Sequence, residues 1–188
     1  MTTKRLSSLL AHLDPAEAFG AAVGDHRPPP YIAALLAKEP DLAAAWRADK
    51  ESRHPARCWQ RCLDSGVEVV ARSDPRYPSQ LLDDPGAPPV VFARGDLSAL
   101  DARRVGIVGT RNATQRGRET ACQFGYELAA RDVAVVSGLA RGIDGAAHRG
   151  ALAVDAARPV AVVGNGPDAP YPKQHAALWA AVSERGVV

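Results

Sequence analysis

The chain has 188 residues, enough for one medium domain and a smaller companion, and 46% of them are hydrophobic, which supplies material for a core. Its formal net charge of +2 makes it neither strongly basic nor strongly acidic as a whole, and no apolar run approaches the roughly 20 residues of a membrane span. The opening Met1-Thr2-Thr3-Lys4-Arg5 leads into Leu6-Ser7-Ser8-Leu9-Leu10, too short an apolar stretch for a secretory signal, so a cytoplasmic location is expected.

Helical spacing of apolar residues predicts short helices over 6–13, 16–22, 31–37, 42–48 and 56–63, punctuated by Asp14-Pro15, Pro28-Pro29-Pro30 and Pro40-Asp41. Residues 1–65 therefore read as a small helical domain. Cys58 and Cys62 stand four apart on the last of these helices, without the further His or Cys partners that zinc needs. With Cys122 they are expected to be reduced structural thiols, and no metal or cofactor is expected.

From Gly66 the pattern changes to strand-like runs, Val67-Glu68-Val69-Val70 and Val90-Val91-Phe92-Ala93, separated by a proline-rich turn. A regular alternation follows: strand 104–109, helix 115–130, strand 133–137, helix 144–153, strand 159–164 and helix 172–185, and the closing Gly186-Val187-Val188 reads as the start of another strand. Continuous apolar strands alternating with helices imply an α/β fold, a Rossmann-like parallel sheet with helices on both faces, over 66–188. In such sheets ligands lie beyond the carboxyl ends of the strands, where Gly109, Ser137 and Gly164 fall. So few strands make a thin sheet, which suggests the N-terminal part of a longer protein.

Charge is distributed unevenly along this region. Residues 103–150 hold eight arginines against four acids, a local balance of +4, while the remainder sums to −2. Of the 23 basic residues 19 are arginine, whose planar guanidinium suits phosphate. A genome rich in G and C would also favour arginine and alanine.

Two glycine loops sit within the positive stretch. After Val105-Gly106-Ile107-Val108 comes Gly109-Thr110-Arg111, with Arg116 and Arg118 in the first turns of the next helix. After Val133-Ala134-Val135-Val136 comes Ser137-Gly138-Leu139-Ala140-Arg141-Gly142. Each can be a plain turn. Each can also bind phosphate, with Thr110, Ser137 and Gly138 donating, Arg111 and Arg141 as charge partners, and Gly142 allowing close approach or a positive φ. Neither matches a dinucleotide fingerprint, which needs G-x-G-x-x-G and an acid after the second strand. No lysine in 103–150 supplies a P-loop. Asp144 and His148, four apart, share a helical face and read either as an acid/base pair or as structural residues, with Asp144 as a cap. The third loop, Gly164 to Pro172, offers Asn165 and Tyr171 as further contacts or is a simple crossover.

These residues together resemble the DNA-processing protein A (DprA/Smf) family. The similar segments are Tyr77-Pro78-x-x-Leu81, Gly106-Ile107-Val108-Gly109-Thr110-Arg111, Ser137 to Asp144 with Ala147-His148, and Gly164-x-Gly166-x-Asp168-x-x-Tyr171-Pro172, in order over 66–186. Against the family pattern, Arg116 replaces an aromatic, Asp132 a glycine, Pro167 a leucine and His175 an asparagine, and a later Phe-Pro-x-Arg-Asn-Arg segment has no counterpart. The helical first part looks like the small sterile-alpha-motif-like domain of many members.

The resemblance implies a non-enzymatic protein that binds and protects single-stranded DNA. It also implies a role in loading the RecA recombinase during natural transformation, and a homodimer in the full-length form. The DNA pocket would involve Arg111, Ser137, Gly138, Arg141 and Gly142. Two other readings stand beside it: a nucleotide-processing enzyme of the cytokinin-nucleotide-cleaving type, and a truncated fragment with impaired DNA binding.

Overall fold

The computed structural model describes residues 13–50 and 54–188. They fall into two compact units, one reaching to Asp64 and taking in Leu81–Pro89, the other formed by Ser65–Gln80 and Val90–Val188. The helix predicted over 6–13 lies, but for its last residue, outside the described residues.

Among the described residues the first unit holds four short helices, α1 (Pro15–Val23), α2 (Pro30–Ala37), α3 (Pro40–Ala48) and α4 (Pro55–Asp64). Each begins at a proline, whose missing N–H is no loss in a first helical turn. Asp14 caps α1 by accepting the Ala16 and Glu17 amides at 2.8 and 2.9 Å, and the Glu17 carboxylate accepts the Asp14 amide in return. Gly24, at φ 88°, ends the helix in the left-handed region. Ala18, Ala21 and Ile32 are buried together, with Leu13, Leu36 and Trp46 packed around them.

In the second unit β1 (Glu68–Ala71) and β2 (Val90–Ala93) pair antiparallel, Val70 opposite Val91. β3 (Arg104–Gly106), β4 (Ala134–Ser137) and β5 (Val160–Ala161) form a parallel sheet in the order β3-β4-β5. Where the sequence predicts the start of another strand, the end of the chain makes isolated bridges rather than a regular strand. Val187 bridges to Val160 in parallel and to Gly95 antiparallel, and Val188 exchanges both backbone hydrogen bonds with Arg94 at 2.8 and 2.9 Å. Connecting the strands are α5 (Gln115–Ala129), α6 (Ile143–Leu152) and α7 (Ala176–Arg185), with single 3-10 turns at Leu97–Asp101 and Lys173–His175. This is the Rossmann-like parallel α/β arrangement that the alternation predicts, except that the three helices lie on one face of the sheet rather than on both. The strands are shorter than predicted because pairing continues for one residue only, Ile107 to Val136 and Val162 to Ser137, before the glycine loops turn away.

The residues on each face of the sheet separate cleanly. Val135 packs with Ala129, Ala147 and Ala151, and Ala161 and Val188 pack with Trp179 and Val182, so α5, α6 and α7 all lie on one face. Ala134, Val160 and Val187 point the other way, onto Ala99 and Leu97 of the 3-10 turn. Helices α5 and α6 cross at backbone contact. A methyl group at Gly125 would run into the Ala147 carbonyl, and one at Gly150 into the Cys122 carbonyl.

Gly125→Ala and Gly150→Ala are each expected to destabilise the fold by about 1–3 kcal/mol through overpacking of this crossing. Urea unfolding at neutral pH checks it, with the midpoint lowered and the slope unchanged.

Candidate functional site

Three loops leave the carboxyl ends of β3, β4 and β5, and glycine decides how closely the first two approach. Gly142 adopts φ 80°, and a side chain there would collide with the Thr110 and Arg111 backbone. Gly109 leaves the space filled by the Ile143 side chain, and the Ile143 amide donates to the Thr110 carbonyl at 3.3 Å. The Thr110-Arg111 and Arg141-Gly142 backbones therefore touch. The third loop is fastened to the second by His175, whose Nδ1–H donates to the Leu139 carbonyl at 2.9 Å. Leu139 itself sits at φ 55°, an uncommon conformation for a non-glycine residue. Its fully buried side chain packs with Trp179 and Val182 and holds it there.

Local hydrogen bonds set the first loop. Thr114 caps α5 by accepting the Gly117 amide at 3.1 Å, Thr110 Oγ accepts the Asn112 amide at 3.2 Å, and the Arg118 guanidinium donates to the Ala113 carbonyl at 2.5 Å. Arg118 thus braces the loop. Arg111, Arg116 and Arg141 are exposed, and among the described residues none of them forms an ion pair. Elsewhere in this unit arginines are committed: Arg76 to Asp74 and Glu68, Arg131 to Glu127, Arg158 to Asp96, and Arg185 to the Leu152 and Asp155 carbonyls. No acidic residue stands in the first turn of α5, so nothing there offsets the positive end of the helix.

The second loop is more occupied than its sequence suggests. Ser137 is 3% exposed, and its hydroxyl donates to the Ile107 carbonyl at 2.6 Å, tying β4 to β3. The Gly138 amide donates to Asp144 Oδ2 at 3.2 Å. At the start of α6 the Ile143 and Gly145 amides go to the Thr110 and Ala140 carbonyls. The groups of this loop that face outward centre on Arg141. In the third loop Asn165 donates to the Ala169 carbonyl and braces its own turn, while Tyr171 is exposed just before the cis peptide to Pro172.

Asp144 caps no helix; Gly142 occupies that position, and Asp144 binds the loop from the first turn. His148 has no exposed surface, and neither ring nitrogen has a hydrogen-bond partner among the described residues. Burial drives its pKa down to about 4. The Ser137 backbone, close but outside hydrogen-bonding geometry, and the Asp144 carboxylate oppose this in part, and His175 reinforces it. His175 is the site residue that sequence reading does not assign. Its one signal is its departure from the asparagine of the resembling family.

A separate cleft of about 280 Å³ opens at the amino end of β4, lined by Ser98, Asp101, Asp132 and Arg158 among others. Its carboxylates and its place at the wrong end of the strands set it apart from the glycine loops.

Fold and site together define a Rossmann-like α/β protein with an arginine-bearing pair of glycine loops at the carboxyl end of its sheet. The family model of DNA recombination-mediator protein A matches residues 68–188, and the chain belongs to that family. It is 36% identical over 137 residues to protein Smf of Escherichia coli, covering 73% of this chain and 36% of that one. It is 32% identical over 139 residues to DNA processing protein DprA of Bacillus subtilis, covering 72% and 46%. The X-ray structure of DNA processing protein A from Streptococcus pneumoniae superposes with a TM-score of 0.70 at 25% identity, over 100% of this chain and 66% of that one. A structure of the Helicobacter pylori protein, described for its single-stranded DNA binding mode, shares the fold at a TM-score of 0.52 and 24% identity, over 65% and 55%. The chain spans less than half the length of these curated relatives.

Because the folded state holds His148 neutral down to about pH 4 while the unfolded chain takes up a proton near pH 6.5, the contribution is complete above pH 6.5 and is lost as pH falls towards 4. The loss from this one residue is expected to be on the order of 3 kcal/mol. Urea unfolding between pH 7 and 4 checks it, with His148→Gln showing a flatter dependence across that window than the unsubstituted chain.

Proposed function

We propose that this chain binds single-stranded DNA without chemically altering it, by neutralising successive phosphates along the carboxyl end of its sheet. The observation that carries this reading is the contact of the two glycine loops, in which the Arg111 backbone lies against Gly142, the residue next to Arg141, while among the described residues neither arginine pairs with a carboxylate. Thr110 retains a hydroxyl proton to donate, and Arg116 extends the positive surface along α5. Gly109 and Gly142 permit the approach of the loops; Ser137, Gly138 and Arg118 hold their shape. Tyr171, exposed on the third loop, is suited to stack on a base.

Asp144 and His148 have structural roles in this reading, since an acid/base pair must reach its substrate and His148 has no exposed surface. Support for single-stranded DNA as the ligand also comes from the family and from the described binding mode of the H. pylori relative. Protection of incoming DNA, assistance in RecA loading during transformation and recombination, a homodimeric full-length form and a cytoplasmic location follow from the family resemblance.

Binding to oligo-dT, followed by fluorescence anisotropy, is expected to weaken as salt rises, with a log–log slope of about −2 if three phosphates are neutralised. Arg111→Ala and Arg141→Ala should each weaken binding several-fold, reduce that slope by about 0.7 and leave the urea midpoint unchanged. Unchanged affinity in both variants would overturn this reading.

A further inference from the structure

Two of the chain's three cysteines, Cys58 and Cys62, stand on α4. Both are free and half-buried, while every other residue of that helix is exposed. Residues four apart share a helix face, so the two thiols lie together on the shielded side of α4. No third metal ligand gathers around them among the described residues, which leaves them the chemistry of a dithiol.

Helix geometry sets Cα atoms four residues apart at about 6 Å, inside the range of about 4.4–6.8 Å that a disulfide spans. The Cβ atoms, about 5–6 Å apart, must come within about 4.5 Å for the sulfurs to join. A regular helix cannot supply that approach, so ring closure has to open the turn between the two cysteines. The start of α4 is firmly held. The Cys58 amide donates to the His54 carbonyl at 3.0 Å and the Ala56 amide to His54 Nδ1 at 3.3 Å, and the His54 ring meets the Phe19 ring edge to face at 6.2 Å. Across the end, the Gln60 side-chain amide donates to Asp64 Oδ1 at 2.8 Å, an exposed bond of small worth. Trp59 and Leu63 are more than half exposed, so opening this turn uncovers no core.

We propose that Cys58 and Cys62 form a reversible dithiol–disulfide couple whose oxidation opens the last turn of α4. The oxidant is a low-molecular-weight disulfide. One cysteine thiolate attacks it, giving a mixed disulfide and releasing one thiol. The second thiolate attacks the protein sulfur of that mixed disulfide, which forms the bond between Cys58 and Cys62 and releases the other thiol. Two electrons and two protons thus pass from the cysteines to the two departing thiols. Strain in the opened turn keeps the couple easily reversed by excess thiol. Cys122, in the other unit, has no cysteine one turn away on α5 and serves as an internal reference.

The test incubates the folded 188-residue chain with glutathione disulfide at neutral pH and maps its thiols by alkylation and mass spectrometry. Expected is the loss of two hydrogen atoms, with Cys58 and Cys62 closed to alkylation together and reopened by excess glutathione. Amide exchange at Cys62, Leu63 and Asp64 should quicken roughly tenfold in the closed form. Cys58→Ser and Cys62→Ser, with the unsubstituted urea midpoint, should each leave the remaining thiol carrying one glutathione. Any of five results would overturn the proposal: no reaction, glutathione retained on both cysteines, a covalent dimer in place of the ring, ring closure only in urea that unfolds the chain, or unchanged amide exchange in the closed form.

Discussion

At Gly142 the Thr110 carbonyl fills the volume where any other residue would carry its Cβ. That single steric fact determines much of the site. It lets the Ile143 amide reach the Thr110 carbonyl, seats the Ile143 side chain over Gly109, and joins the loops after β3 and β4 into one rim. A rim built by backbone contact is held by neighbours on all sides, so the arginines on it start from fixed anchors while their long side chains stay mobile in water. Short-range sterics set the spacing of the charges, and the charges themselves contribute little to holding the fold.

Much of the architecture is legible in the sequence because its signals are local. Proline at each helix start and apolar residues at helical spacing place α1 to α4, and the βα alternation places the parallel sheet. Strand ends are less legible: Val162 and Val163 read as continuous β5, but regular pairing stops at Ala161 where the neighbouring strand has already turned into its loop. Strand length depends on a partner's geometry, which no local pattern records.

The site is legible in its residue types and less so in their duties. Ser137 and Gly138 have the composition of a phosphate loop, yet their polar groups are turned inward to Ile107 and Asp144. Inward and outward use call for the same small, polar residues, so composition cannot separate them. His175 has the opposite history. Nothing about an isolated histidine near a proline announces that it will reach back to Leu139, because the contact links positions 36 residues apart in the chain.

The pairing of Val188 with Arg94 and of Val187 with Gly95 joins stretches separated by almost the entire α/β region. During synthesis the segment after β2 must therefore wait, its backbone groups hydrated, while β3, α5, β4, α6, β5 and α7 emerge. Closing so long a loop carries an entropic cost, so this seam is a non-local step that slows the assembly of the sheet. Until it closes, the edge next to β5 is open to other chains, a period in which crowding and concentration decide between folding and aggregation.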